Sequence, residues 1–261
     1  MDADTRSVVV VRAAREDDAD ITACLAATKR AEYEVYSPVF WRRAADDRGR
    51  HLPFLRSCLR DPMYLSFTAE SGGEPLGIIL GKRGAAPPPF QRDPEPTCFV
   101  DDFFVARPSL WASVGGALLA EVAEAAHAQG AARVIVVTAQ RDIPKRTFLL
   151  DEGYSLAAAW WVHPIAQGSA AISIPAGAEE GEGIEAVVAS PPPVYDPGGP
   201  VALALSLGDT PAAQVARFGH WVVASHAALA IVPVRVADLA LAEELAAHGY
   251  EIASEWFVRS L

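Results

Sequence analysis

Residues 131–165, AARVIVVTAQRDIPKRTFLLDEGYSLAAAWWVHPI, align without a gap on residues 227–261, AALAIVPVRVADLALAEELAAHGYEIASEWFVRSL, at an offset of 96. Eleven of the 35 pairs are identical, among them Asp142/Asp238, Leu149/Leu245, Gly153/Gly249, Tyr154/Tyr250, Trp160/Trp256 and Val162/Val258. Composition alone gives far fewer matches, even in a chain this rich in alanine. A repeated unit bounds the architecture and lets one copy be read against the other for lost chemistry.

The 261 residues suffice for two modest domains, and the repeat favours that division. With 21% charged and 51% hydrophobic residues the composition is that of a globular protein. A net charge of -11 argues against nucleic acid, whose phosphates call for clustered Lys and Arg. The same charge suits a cationic small molecule, or serves solubility. No apolar run approaches the roughly 18 residues of a membrane span, and the apolar run near the amino end is too short for a secretory signal. Three scattered cysteines, Cys24, Cys58 and Cys98, fit neither a disulfide framework nor a metal site, so a reducing cytoplasm is expected. The six histidines lack metal-ligand spacing, and no metal is expected.

Working outward from the repeat, residues 133–138 read as a short buried strand, 144–150 as a helix closed by Gly153, and 155–163 as a long strand. Upstream, 114–129 is the clearest helix, ending at Gly130. Residues 98–105 form an apolar strand interrupted by Asp101 and Asp102, whose side chains strict alternation sends to opposite faces. Before it stand a proline loop at 87–94, a hairpin with strands at 64–69 and 76–80, a helix at 52–59, and a strand at 8–11 leading into a helix at 21–33. The second copy repeats the proline loop at 191–197 and has strands expected at 171–174 and 184–188, but nothing in it corresponds to residues 8–60. Its strand-to-helix loop is also shorter: 31 positions separate Asp196 from Ala227, against 38 between Asp93 and Ala131. Laid on that frame, Ala204 and Leu205 take the places of Asp101 and Asp102. The alternation of helices and strands predicts a mixed α/β sheet with flanking helices, a full first copy over 1–168 and a partial second over 169–261.

This order of elements resembles the GCN5-related N-acetyltransferase (GNAT) superfamily. The segment from Val100 to Val105 looks like its central strand, Gly115 to Leu119 like the start of its cofactor-binding helix, and Asp151-Glu152-Gly153-Tyr154 like its helix-to-strand signature. The resemblance implies a strand splayed from its neighbour, with acyl-CoA, most simply acetyl-CoA, entering the gap. Main-chain groups of Phe104 and Val105 would polarise the acyl carbonyl, and Ser113, Val114, Gly115 and Gly116 would hold the pyrophosphate at a helix N-terminus. The family's Q/R-x-x-G-x-G/A loop falls on Leu110, Trp111, Ala112, Ser113, Val114 and Gly115, where only the last glycine survives. Leu149 stands where the family often carries a tyrosine that protonates the departing thiolate.

The implied reaction is acyl transfer to the amine of a small molecule by a monomer or homodimer. Asp102 or Asp101, in an apolar strand that raises its pKa, is the candidate general base. Tyr33, Tyr36, Phe40, Trp41, Arg42 and Arg43 are read either as core or as an acceptor site, with Tyr36, Phe40 and Trp41 lining it. The alternatives are a silent binding or scaffold protein on the same fold, or a fold relative with altered thioester chemistry. Trp160, Trp161, Trp256 and Phe257 read as packing within and between the copies.

Overall fold

A computed structural model of the chain describes residues 9–91, 95–165, 184–207 and 210–261. Ten strands form one mixed sheet: β1 Val10–Ala13, β2 Tyr64–Ser71, β3 Glu74–Gly84, β4 Thr97–Val105, β5 Arg133–Ala139, β6 Ser155–Pro164, β7 Glu185–Ala189, β8 Val201–Ser206, β9 Leu229–Arg235 and β10 Glu251–Ser260. Six α-helices accompany them: α1 Ala19–Tyr36, α2 Asp47–Arg60, α3 Gly116–Ala128, α4 Ile143–Asp151, α5 Pro211–Ala224 and α6 Leu239–Ala247. The strand expected at 171–174 lies outside the described residues.

The order across the sheet is β1-β2-β3-β4-β5-β10-β6-β9-β8-β7. The last strand of each half therefore sits against the other half: β10 pairs with β5, and β6 with β9. Every β10–β5 pair maps onto a β6–β9 pair at the repeat offset, so that Ser254↔Ala139 matches Ala158↔Arg235 and Ser260↔Arg133 matches Pro164↔Leu229. The β10–β6 pairing is self-symmetric about Glu255↔Ala159, with Glu251↔Val162 answered by Val258↔Ser155. An internal two-fold runs through this point, and it stacks Trp160 on Trp256 with ring centroids 5.1 Å apart. Gly153 and Gly249, at φ +79° and +77°, close α4 and α6 in the left-handed conformation that lets each chain turn into β6 or β10.

The two faces of the sheet are covered unequally. On one face α3 and α4 pack a core that includes Val100, Phe103, Val136 and Phe257, and α5 and α6 pack another that includes Trp161, Phe218, Val232 and Leu245. On the opposite face α1 and α2 cover Ile78, Leu80 and Phe104. Beyond β5 that second face has no helices among the described residues. There Val39 and Phe40, from the α1–α2 connection, lie against Val201, Leu229 and Ile231. The connection is itself stitched to the second proline loop, with Ala44 N–H donating to the Val194 carbonyl at 2.9 Å and Asp196 N–H to that of Arg42 at 2.8 Å.

Several local features depart from the sequence reading. Helix α2 begins at Asp47 rather than near Leu52, because Asp46 accepts the Gly49 N–H at 3.2 Å and Pro53 is accommodated inside the helix. Asp18 accepts the Arg15 N–H at 2.6 Å and pairs with Arg12, tying the turn before α1 to β1. In the second half Val201 pairs with Leu229 as Thr97 pairs with Arg133, so Leu205 and Ser206, one residue later than expected, face the positions of Asp101 and Asp102. Neither is a carboxylate.

Because β10 supplies the neighbour of β5, a chain ending at Ile165 should fail to give a stable monomer, with its exposed strand edges driving dimerisation or insolubility. Size-exclusion chromatography checks this, and a well-folded monomer would overturn the dependence.

Candidate functional site

The site grows from an irregularity in β4. Its pairing with β3 runs Leu80↔Asp102 and then Gly81↔Val100, leaving Asp101 unpaired as a bulge. The extra residue resets the alternation, so Asp101 and Asp102 lie on the same face and line one cavity of about 300 Å³. The expectation of opposite faces holds only for an unbroken strand. Asp102 also faces His51 of α2, with Nε2 to Oδ2 at 3.6 Å.

His51 is held from behind. Arg30 of α1 pairs with Asp47 at 2.7 Å and places Nη1 3.0 Å from His51 Nδ1. A guanidinium only donates, so Nδ1 accepts and the proton of the neutral ring is on Nε2, toward Asp102. The α1–α2 pair and the bulge thus bring Asp47, Arg30, His51 and Asp102 into one chain of contacts. Sequence reading passed over His51 because its partners lie 21 and 51 positions away.

Aromatic rings and the second proline loop complete the cavity. Tyr33 and Trp41 line it with Phe54, and from the other half Tyr195 closes over Trp41, the ring centroids 5.3 Å apart. Burial, with Asp101 as the next cause, holds the Tyr195 phenol well above its usual pKa, so it remains a donor. Of the three aromatic residues expected at an acceptor site, Trp41 lines this cavity and also a neighbouring one, and Phe40 lines the neighbour. Tyr36 lines neither and packs 5.9 Å from the Tyr33 ring.

Behind the bulge β4 and β5 part. Their parallel pairing covers Thr97↔Arg133 to Val100↔Val136 and then stops, although β4 runs on to Val105 and β5 to Ala139. The gap is filled from within. Lys145, in the first turn of α4 and 1% exposed, donates Nζ to the Val137 carbonyl at 2.8 Å and to the Phe103 carbonyl at 3.2 Å, bridging both strands. Beside it the buried Trp111 ring stacks on Phe148 at 5.2 Å and meets Phe103 edge-on at 4.9 Å, and Lys145 Nζ lies 5.8 Å from its centroid. A Cβ on Gly115 would stand 2.7 Å from that ring, so the surviving glycine of the loop makes room for Trp111.

The other residues expected to hold a cofactor fall around this plug. Phe103 turns its carbonyl to the gap, so by strand alternation Val105 also opens on it while the Phe104 main chain turns to β3. Ser113, Val114 and Gly115 lie in a wide helical turn, Trp111–Gly115, that runs straight into α3. The Gly116 N–H is consumed there by the carbonyls of Ser113 and Trp111. The sequence reading did not single out Lys145; a cation in the first turn of a helix opposes the helix dipole, and that anomaly is the signal that could have found it.

Desolvation shifts two of these groups, Lys145 in the core and Asp101, which is exposed to the cavity but walled by apolar and aromatic side chains. The Asp101 carboxyl is pushed up to about 6, with Asp102 adding to the rise and Lys145 and His51 opposing it. Lys145 is brought down to about 8 by its burial, against the pull of Asp142.

No protein-family model matches the sequence, and a search of curated proteins returns no match. Solved structures do match. A Thermoplasma acidophilum protein proposed to be an acetyltransferase superposes over 97% of this chain and all of its own, at 11% identity and a TM-score of 0.58. A predicted acetyltransferase from Clostridium acetobutylicum, solved with acetyl-CoA, covers 57% of this chain and 90% of its own at 10% identity and a TM-score of 0.46. An aminoglycoside N-acetyltransferase in complex with CoA covers 59% and 91% at 17% identity, with a TM-score of 0.46. The fold of this chain is that of the GNAT superfamily. Its most extensive counterpart among these three is the Thermoplasma protein, whose match runs through both halves.

The resemblance implies that acyl-CoA enters the gap between the splayed strands, and here Lys145 and Trp111 occupy that gap. An arm passing between β4 and β5 would have to displace Trp111 and take the carbonyls that Lys145 holds, leaving a buried ammonium without partners.

An unfolded lysine keeps its proton to near 10.5, whereas folded Lys145 releases it near 8. The unfolded chain therefore binds more protons between those values, and the Lys145 contribution to stability rises with pH across that window and is lost as pH falls through 8. Thermal melts at about pH 7.5 and about pH 9.5 should show wild type gaining stability relative to Lys145→Met. Parallel curves would refute the assignment.

Proposed function

We propose that this chain binds a small-molecule amine in the cavity beneath the β4 bulge, on an acetyltransferase fold whose acyl-CoA gap is shut. The observation that carries this reading is Lys145, which spans the gap with Trp111 beside it while the opposite cavity keeps its carboxylates. Asp101 and Asp102 supply negative charge to an ammonium, and Tyr33, Trp41 and Tyr195 supply ring faces to it. Arg50 at the same cavity can take a carboxylate if the ligand is an amino acid. The matching registers support a duplicated origin, with residues 1–168 as the full unit and 169–261 as a partial, non-catalytic one that supplies Tyr195 and completes the sheet. A cytoplasmic monomer or homodimer accords with the composition.

A second reading, acyl-CoA-dependent N-acyl transfer to that amine with acetyl-CoA as the simplest donor, is favoured by one observation. The bulge sets Asp101 and Asp102 beside the parted strands, where a carboxylate of raised pKa is placed to take a proton from an ammonium. This reading requires Lys145 and Trp111 to withdraw.

Calorimetric titration with acetyl-CoA separates the two. Wild type should bind none at millimolar concentration, and Lys145→Ala, alone or with Trp111→Gly, should gain measurable affinity. Truncating the Trp111 side chain costs about 3–5 kcal/mol of stability, so the single Lys145 variant carries the test if the double one does not fold. Micromolar binding by wild type, with turnover that Asp102→Asn lowers while leaving CoA binding intact, would establish acyl transfer instead.

A further inference from the structure

We propose that the ligand is an amphipathic amine, its ammonium at Asp101 and Asp102 and its apolar body in a second compartment that the truncated half of the chain creates. This rests on the amine-binding reading above. The second compartment, about 320 Å³, lies on the same face of the sheet. Its wall carries the stacked rings of Phe99, Trp256 and Trp160, with successive centroids 5.2 Å and 5.1 Å apart. Proline runs from both halves, around Pro88 and Pro192, bound it as well.

Its origin is physical. Helices α1 and α2 cover this face over β2 to β4, and the second half, lacking residues equivalent to 8–60, brings none among the described residues to the face of β8 and β9. The α1–α2 connection and the proline loops bridge the uncovered sheet and leave a hollow beneath them. A few hundred cubic ångströms lined by apolar and aromatic groups with few polar ones is the usual make-up of a small-molecule site.

Charge selects the occupant. Asp101 alone among the described lining residues of this compartment carries a charge, and it lines the first cavity too. Trp41 and Tyr195 are likewise shared. A cation at Asp101 therefore has carboxylates and His51 on one side and an apolar chamber on the other. That geometry suits an aryl or branched alkyl group a few bonds from a primary amine. A small hydrophilic amine would leave the chamber unused.

Tryptophan fluorescence titration with ethylamine, phenethylamine and 2-phenylethanol tests this. Phenethylamine should bind at least tenfold tighter than ethylamine, Leu203→Trp should erase that difference by filling the chamber, and Asp101→Asn should weaken both amines. Ala189→Trp, at an exposed rim position, serves as a second filling variant should Leu203→Trp not fold. Equal affinity for the two amines, unmoved by either filling variant, overturns the two-compartment inference and leaves amine binding standing. Binding of 2-phenylethanol as tight as phenethylamine and indifferent to Asp101→Asn overturns the amine reading as well. No binding of any of the three at millimolar concentration overturns both.

Discussion

The pairing of β10 with β6 about Glu255 and Ala159 is the contact on which the rest of the molecule depends. It joins two half-sheets that would otherwise each end in an open edge, at β10 and at β6. At its centre the buried Glu255 is held by Arg146 of α4, through Nε at 2.5 Å and Nη2 at 3.2 Å. Loss of Arg146, itself partly exposed, would leave the buried Glu255 carboxylate uncompensated, and the pair thereby ties helix to strand. The same helix carries Lys145 into the gap between β4 and β5. Strand exchange, helix position and closure of the gap are therefore parts of one arrangement.

The bulge at Asp101 and the parting of β4 from β5 are adjacent, and their consequences point to opposite faces of the sheet. Toward α3 and α4 the gap is filled with Lys145, Trp111 and Phe148, and its exposed carbonyls are satisfied internally. Toward α1 and α2 the bulge presents two carboxylates to a cavity with His51 and aromatic walls. The large side chains of Lys145 and Trp111 fill one opening and leave the other clear.

Much of the architecture was legible in residues 131–165 and 227–261, because glycine-closed helices and apolar strands recur there at one offset. What the repeat did not reveal was that β10 would insert between β5 and β6, since nothing local distinguishes pairing within a copy from pairing between copies. The opposite-face expectation for Asp101 and Asp102 failed because a bulge leaves no mark in a five-residue window of apolar and acidic residues. Trp160 and Trp256, read as packing in the core or between copies, stack on each other across the two-fold. His51 and Tyr195 were invisible as site residues, since each reaches the cavity only through tertiary contacts with α1 or the α1–α2 connection.

The inserted strand also sets the order in which this protein can form. Ala139 finds its neighbour in Ser254, 115 positions downstream, and until the chain has been made through β10 both β5 and β6 lack the strand that lies between them. Pairing at such separation slows folding and leaves apolar edges open to other chains while it is pending. The cleft, walled from both halves, is then among the last features to be assembled. A ligand bound there would favour completion of the whole sheet over either half alone.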